Sequence, residues 1–203
     1  MTAVSRHEFS PHLTLCAIGA MLILAADQAL APPQAMLEPS VPDEEIVTQA
    51  ATAKPDATEQ ALSHYVSRRF LIASEAASRM VSTANRVARQ VGLDPFLVLA
   101  VISVESRFNP IAESVMGAKG LMQIIPKYHR DKLDELGGEG AVLDPETNIE
   151  VGARILQEYV YRTGSLEAGL QLYNGAFNDA SAQYAQKVFS ERSRILAALE
   201  GKN

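Results

Sequence analysis

Three short stretches of the 203-residue chain carry side chains suited to chemistry. The first is Glu105, which follows Val104 at the end of a long apolar run and precedes Ser106 and Phe108. A carboxyl group among apolar side chains is held back from ionising, because burial penalises the charged form. Such a group can stay protonated near neutral pH and deliver its proton to the leaving oxygen of a glycosidic bond. The second stretch is Gly117-Ala118-Lys119-Gly120-Leu121-Met122-Gln123, whose glycines let backbone approach a ligand. Its Gln123 amide can donate to and accept from sugar hydroxyls or an N-acetyl group, and Met122 can line an irregular apolar surface. The third is Tyr173-Asn174-Gly175, where a phenol can reach a substrate oxygen while its ring packs beneath a sugar. Taken singly, each has a plain structural reading: a solvated or capping glutamate, a glycine-rich turn, and a helix end with a buried tyrosine.

The elements around these stretches are helical. Phe70, Ala73, Ala77, Met80, Val81, Ala84, Val87, Ala88 and Val91 recur at three- and four-residue steps, which predicts one buried helix face. Ser74 is expected to cap the element if its last five turns stand alone, and Gly92 to end it. Asp94-Pro95 is a cap followed by a first-turn proline, opening a helix that is apolar almost all round and therefore central. Asp144-Pro145 repeats that start for a helix ended by Gly164. Ser165 caps a short helix to Tyr173, and a last helix runs from about 182 to 199 with Tyr184, Val188, Ile195 and Leu199 inward. Residues 109–143 read as loops with short helical pieces. Period-two alternation is missing, so the expected fold class is all-α.

The front of the chain reads as an address. Arg6 and His7 precede the apolar run Leu13 to Ala26, too short to span a bilayer comfortably and right for the core of an export signal. Ala29-Leu30-Ala31 offers a cleavage site, although Pro32 directly after it would hinder the peptidase. Residues 1–31 are therefore expected to be a signal peptide or, uncleaved, an inner-membrane anchor through residues 13–26. Residues 32–60 hold five of the ten prolines and no apolar periodicity, and are expected to form a disordered tether. The folded domain is expected over 61–203, and the destination is the periplasm.

The formal charge of −6 sits in the front segment. Residues 1–60 contain two basic and eight acidic side chains, leaving 16 of each in the remainder. A balanced body carries no electrostatic footprint for nucleic acid. The single cysteine, Cys16, can neither close an intramolecular disulfide nor furnish a cysteine-rich metal site.

Together the motifs resemble the soluble lytic transglycosylase family, the goose-lysozyme-like glycoside hydrolases. The resemblance covers about residues 79–190: Glu105-Ser106, Asn109-Pro110, Gly117-Ala118, Gly120-Leu121-Met122-Gln123 with Pro126, Asp144-Pro145-Glu146, Asn148-Ile149, Gly152-Ala153, Tyr173-Asn174, and Tyr184 with Lys187-Val188. It implies a single lysozyme-like α domain with a groove for peptidoglycan glycan strands. Glu105 would be the catalytic acid and then base, with Ser106, Gln123, Tyr173 and Asn174 lining the site, Met122 beside the sugars, and Tyr184 nearby. Asn148 would be structural. Two departures flank the site: Gly175-Ala176 stands where the family usually has Ala-Gly, and Leu172 replaces a small residue.

Most glycosidases use two carboxyl groups. Glu113, Asp131 and Asp144 read as loop or capping residues, so a single acid working with the substrate's own N-acetyl group is expected. The product would be a 1,6-anhydromuramyl end, formed without cofactor or metal. The alternatives are a muramidase that hydrolyses the same bond with a loop carboxylate, and a non-catalytic peptidoglycan-binding scaffold. A partner in a cell-envelope machine is compatible with a small domain on a tether.

Overall fold

The computed structural model describes residues 56–201. The expected signal or anchor and most of the expected tether lie outside the described residues. Seven α-helices and no strand occur among the described residues, as the periodicity predicts. None of these helices is long and apolar enough to cross a membrane.

Helix α1 (Ala57–Phe70) starts on Asp56, whose carboxylate accepts from the Glu59 amide, and ends at Leu71 in the left-handed region. It therefore begins slightly ahead of the expected boundary at 61. Helix α2 (Ser74–Val91) follows as a separate element and closes on Gly92 at φ 70°. Ser74 is its first residue rather than its cap; Ala73 holds that position and makes no side-chain bond. Leu71 at φ 58° breaks what the apolar spacing alone would join.

Helix α3 (Pro95–Glu105) is capped by Asp94, whose carboxylate accepts from the Phe96 amide at 3.0 Å. Every residue from Leu97 to Ser103 is buried, which places α3 in the middle of the core. Fully burying one such Leu or Ile stabilises by about 1.5–3 kcal/mol, so this helix anchors the molecule. Ser106 ends it, and Arg107 and Phe108 then both adopt positive φ, 55° and 63°. Phe108 has no exposed surface, and its ring centroid lies 4.8 Å from that of Phe70 on α1. Burial of that ring offsets the backbone strain of the turn.

Residues 109–125 form a folded loop with isolated bridges pairing Lys119 with Glu113 and with Ile124. A 3-10 turn at Pro126–Tyr128, helix α4 (Arg130–Asp134) and a second 3-10 turn at Glu139–Leu143 lead to α5 (Pro145–Thr163). Asp144 caps α5 by accepting from Thr147 at 2.9 Å, and Gly164 ends it at φ 75°. Ser165 caps α6 (Leu166–Tyr173), and α7 (Gln183–Leu199) closes the domain against α3.

Candidate active site

Glu105 stands at the carboxyl end of α3, half out of the core. Two features disfavour its charge there: the apolar helix that carries it and the negative pole of that helix. Burial pushes its pKa above the ordinary carboxylate value, and a hydrogen bond from Tyr184 partly opposes the rise. The Tyr184 hydroxyl donates to Oε1 of Glu105 at 2.5 Å. Tyr184 is only 6% exposed and sits in the first turn of α7, so the packing of α7 on α3 sets this contact. Burial, then the neighbouring Glu105 charge, pushes the Tyr184 phenol well above its usual range, leaving it a donor at every working pH.

A cavity of about 430 Å³ opens at this carboxyl group, lined by Val104, Glu105, Asn174, Asp179, Tyr184 and Lys187 among others. A second cavity of about 260 Å³ is lined by Gln123, Ile125, Tyr128, Tyr159, Tyr173 and Asn174. Asn174, the exposed residue after α6, lines both cavities, so they lie side by side. Along the second cavity the rings of His129, Tyr159 and Tyr173 follow one another at 6.3 and 6.4 Å. Such a row gives flat apolar faces edged by hydroxyls, which suits the faces of sugar rings.

Tyr173 ends α6 and donates its hydroxyl to the Met122 carbonyl at 2.8 Å, tying α6 to the glycine-rich loop. Burial, then the Glu105 charge, raises its phenol far above the usual range. Gln123 is held at φ 49°, and its Nε2 donates to the carbonyls of Ala112 and Gly120 at 3.2 and 3.0 Å. With the amide nitrogen so engaged, its carbonyl oxygen is the group it can offer a ligand.

Asn148 acts as the loop's clasp. Its Oδ1 accepts from the Met122 amide at 2.7 Å, while Nδ2 donates to the carbonyls of Lys119 and Val142 at 3.0 and 2.7 Å. It is fully buried, in keeping with a structural part rather than a sugar ligand.

The expected residues are thus brought together unequally. Glu105, Tyr184 and Asn174 share one cavity, and Gln123, Tyr173 and Asn174 the other. Met122, expected beside the sugars, departs from that expectation: it has no exposed surface, and its sulfur packs where a Cβ on Gly152 would lie. Ser106 lines neither cavity and donates its hydroxyl to the Ile102 carbonyl at 3.2 Å, finishing α3.

Sequence reasoning missed Tyr128, Tyr159 and Asp179. The tyrosines stand in no motif. Asp179 was legible only as the start of an Asx turn, Asp179-x-Ser181, yet it is a second carboxylate beside the Glu105 cavity. Its Oδ1 accepts from the Ser181 hydroxyl and amide, and its Oδ2 from the Gln183 amide at 3.0 Å. These bonds, the Ser181 hydroxyl first, hold its carboxyl below the ordinary range.

The family model described as the transglycosylase SLT domain matches residues 82–195. The transglycosylase of Enterobacteria phage PRD1 is 38% identical over 99 residues, 49% of this chain and 36% of that protein. The membrane-bound lytic murein transglycosylase C of Mannheimia succiniciproducens is 33% identical over 86 residues, 39% of this chain and 24% of its own length. The chain therefore spans 36% or less of the length of these two relatives. Among solved structures, the 70 kDa soluble lytic transglycosylase of Escherichia coli superposes with a TM-score of 0.52 at 22% identity, covering 66% of this chain and 29% of that one. The shared architecture is the all-α, lysozyme-like fold expected from the motifs.

Proposed function

The chain belongs to the transglycosylase SLT-domain family, and on that premise we propose that it cleaves peptidoglycan glycan strands after N-acetylmuramic acid. Glu105 is the catalytic residue. The observation that carries this reading is the half-buried carboxyl group, bonded to Tyr184 and open to a cavity that adjoins an aromatic-lined one at Asn174.

In the first step, protonated Glu105 gives its proton to the glycosidic oxygen as the bond to C1 breaks. The substrate's N-acetyl oxygen bonds to C1 and spreads the positive charge. Glu105, now a carboxylate steadied by the Tyr184 hydroxyl, takes the proton of the muramic 6-hydroxyl. The 6-oxygen displaces the N-acetyl oxygen from C1 and closes the 1,6-anhydro ring. Glu105 ends protonated, as it began, and no water is consumed. Proximity favours the intramolecular nucleophile over bulk water.

A hydrolase would bring water to C1 in place of the 6-hydroxyl, with either Glu105 or a second carboxylate as the base. Asp179 is the carboxylate placed to compete, but three donors hold its lone pairs and depress its basicity, which makes it a poor general base. Its bonds instead fasten the turn that enters α7. Mass spectrometry of digested sacculi tests this. Anhydromuramyl ends are expected from the parent, and also from Asp179→Asn if that protein folds. Reducing muramic ends from the parent would show a muramidase. Glu105→Gln should lower the cleavage rate by about 10²–10⁴, the usual worth of a positioned acid.

We place the enzyme in the cell envelope, exported through residues 13–26 and either released or left anchored there. Residues 32–60 would let the catalytic domain reach the wall. A relative named as membrane-bound supports an envelope setting. A partner in an envelope-spanning machine fits the same tethered arrangement.

A further inference from the structure

A cavity of about 650 Å³ lies beside the Glu105 cavity and shares Val104, Gln183 and Lys187 with it. Its lining is cationic: Arg69 from α1, Arg107 from the turn after α3, and Lys187 and Arg194 from α7. One carboxylate faces them, Glu191, and it is spoken for. It is 4% exposed, accepts from the Ser103 hydroxyl at 2.8 Å, and pairs with Arg69 at 3.1 Å and Arg194 at 2.8 Å. Arg107 and Lys187 are exposed and have no carboxylate within ion-pair distance among the described residues.

Two further observations bear on what this surplus charge does. The cations do not tune the catalytic acid, because burial and the Tyr184 bond are what move Glu105. Arg107 also occupies the left-handed region at φ 55°, where glycine or asparagine would be less strained, and it lines the cavity wall.

We infer that this cavity is a carboxylate-binding subsite for the peptide that branches from the muramic lactyl group, with Arg107 and Lys187 as its free ligands. The inference rests on the glycan-cleaving reading. Amino sugars linked as N-acetyl glycosides are neutral and give a guanidinium nothing to hold, whereas the substrate's charge sits on its stem peptides. A guanidinium and an ammonium at one mouth suit two such carboxylates. Arg69 precedes the family-matched residues 82–195, so part of this wall is contributed by α1 and not by the shared domain.

The test compares kcat/KM of the whole protein on two substrates. One is glycan strands with intact stem peptides; the other is the same strands stripped by an amidase, which keep only the short lactyl carboxylate. The parent should prefer the intact strands by about tenfold, the worth of one charge-assisted contact. Arg107→Gln, which lies outside the Glu105 cavity, should abolish most of that preference by slowing cleavage of intact strands toward the stripped-strand rate, and raised ionic strength should erode the parent's preference in the same direction. Equal cleavage of both substrates by the parent overturns the subsite. So does an unchanged preference in Arg107→Gln, or a fall of both rates in one proportion. Cleavage of neither substrate by the parent overturns instead the glycan reading beneath it.

Discussion

At the scale of single residues, the proposed site opposes two effects on one carboxyl group. Burial pushes the Glu105 pKa up, and the hydrogen bond from the Tyr184 hydroxyl partly opposes that rise. The sign of the balance can be measured. In the proposed mechanism the acid form starts the reaction, so kcat/KM should fall as pH rises through the raised pKa of Glu105. Tyr184→Phe removes the bond that favours the carboxylate, so that falling limb should move to higher pH. The rate at the optimum should drop by about tenfold, the worth of one hydrogen bond to a charged group. A pH–rate profile with the limb shifted to lower pH would show that Tyr184 acts some other way. The same residue marks how far the sequence could be read. Glu105 declared itself through its apolar neighbours, but that Tyr184 would meet it from another helix depended on the packing of α7 against α3.

At the scale of elements, caps and stops were plain because their chemistry is local. Asp94-Pro95, Asp144-Pro145, Ser165 and Gly164 all act where their types put them. The break at Leu71 was hidden, since an apolar residue in the left-handed region has no compositional mark. Met122 misled for a related reason: a thioether suits a sugar-lined wall and a packed interior equally, and only the depth of the loop decides. That depth is set by α5, where Gly152 leaves room for the Met122 side chain and Asn148 ties the loop backbone. A methyl group on Gly152 would lie 2.6 Å from both Cβ and Sδ of Met122. Gly152→Ala should therefore cost about 1–3 kcal/mol in urea unfolding, as overpacking does. It should also raise KM, because Met122 carries the carbonyl that holds Tyr173. Unchanged stability and KM would mean that the loop is not seated as described.

At the scale of the whole molecule, the family-matched segment starts within α2, and α1 is laid against it from outside. Composition and charge bounded this level well: a neutral, apolar-rich, helical body behind an acidic front. What they could not show is that α1 enters the core through Leu62 and Val66 and supplies Arg69 to the buried Glu191. Those two side chains together account for about 3–6 kcal/mol of burial, a large share of a stability that is typically 5–15 kcal/mol. A chain starting at residue 74 should thus unfold at markedly lower urea than one starting at 56. Coincident unfolding curves for the two would make α1 an ornament.

The buried phenols of Tyr173 and Tyr184 have an optical consequence. The chain has six tyrosines and no tryptophan, so its near-ultraviolet absorbance is dominated by phenol rings. Two of those rings frame the groove and should resist ionisation well into alkali. A titration followed at the phenolate band should show a late step that Tyr184→Phe diminishes. Before any alkali is added, a glycan settling into the groove should alter the spectrum of those same rings, giving an unlabelled protein its own indicator of occupancy.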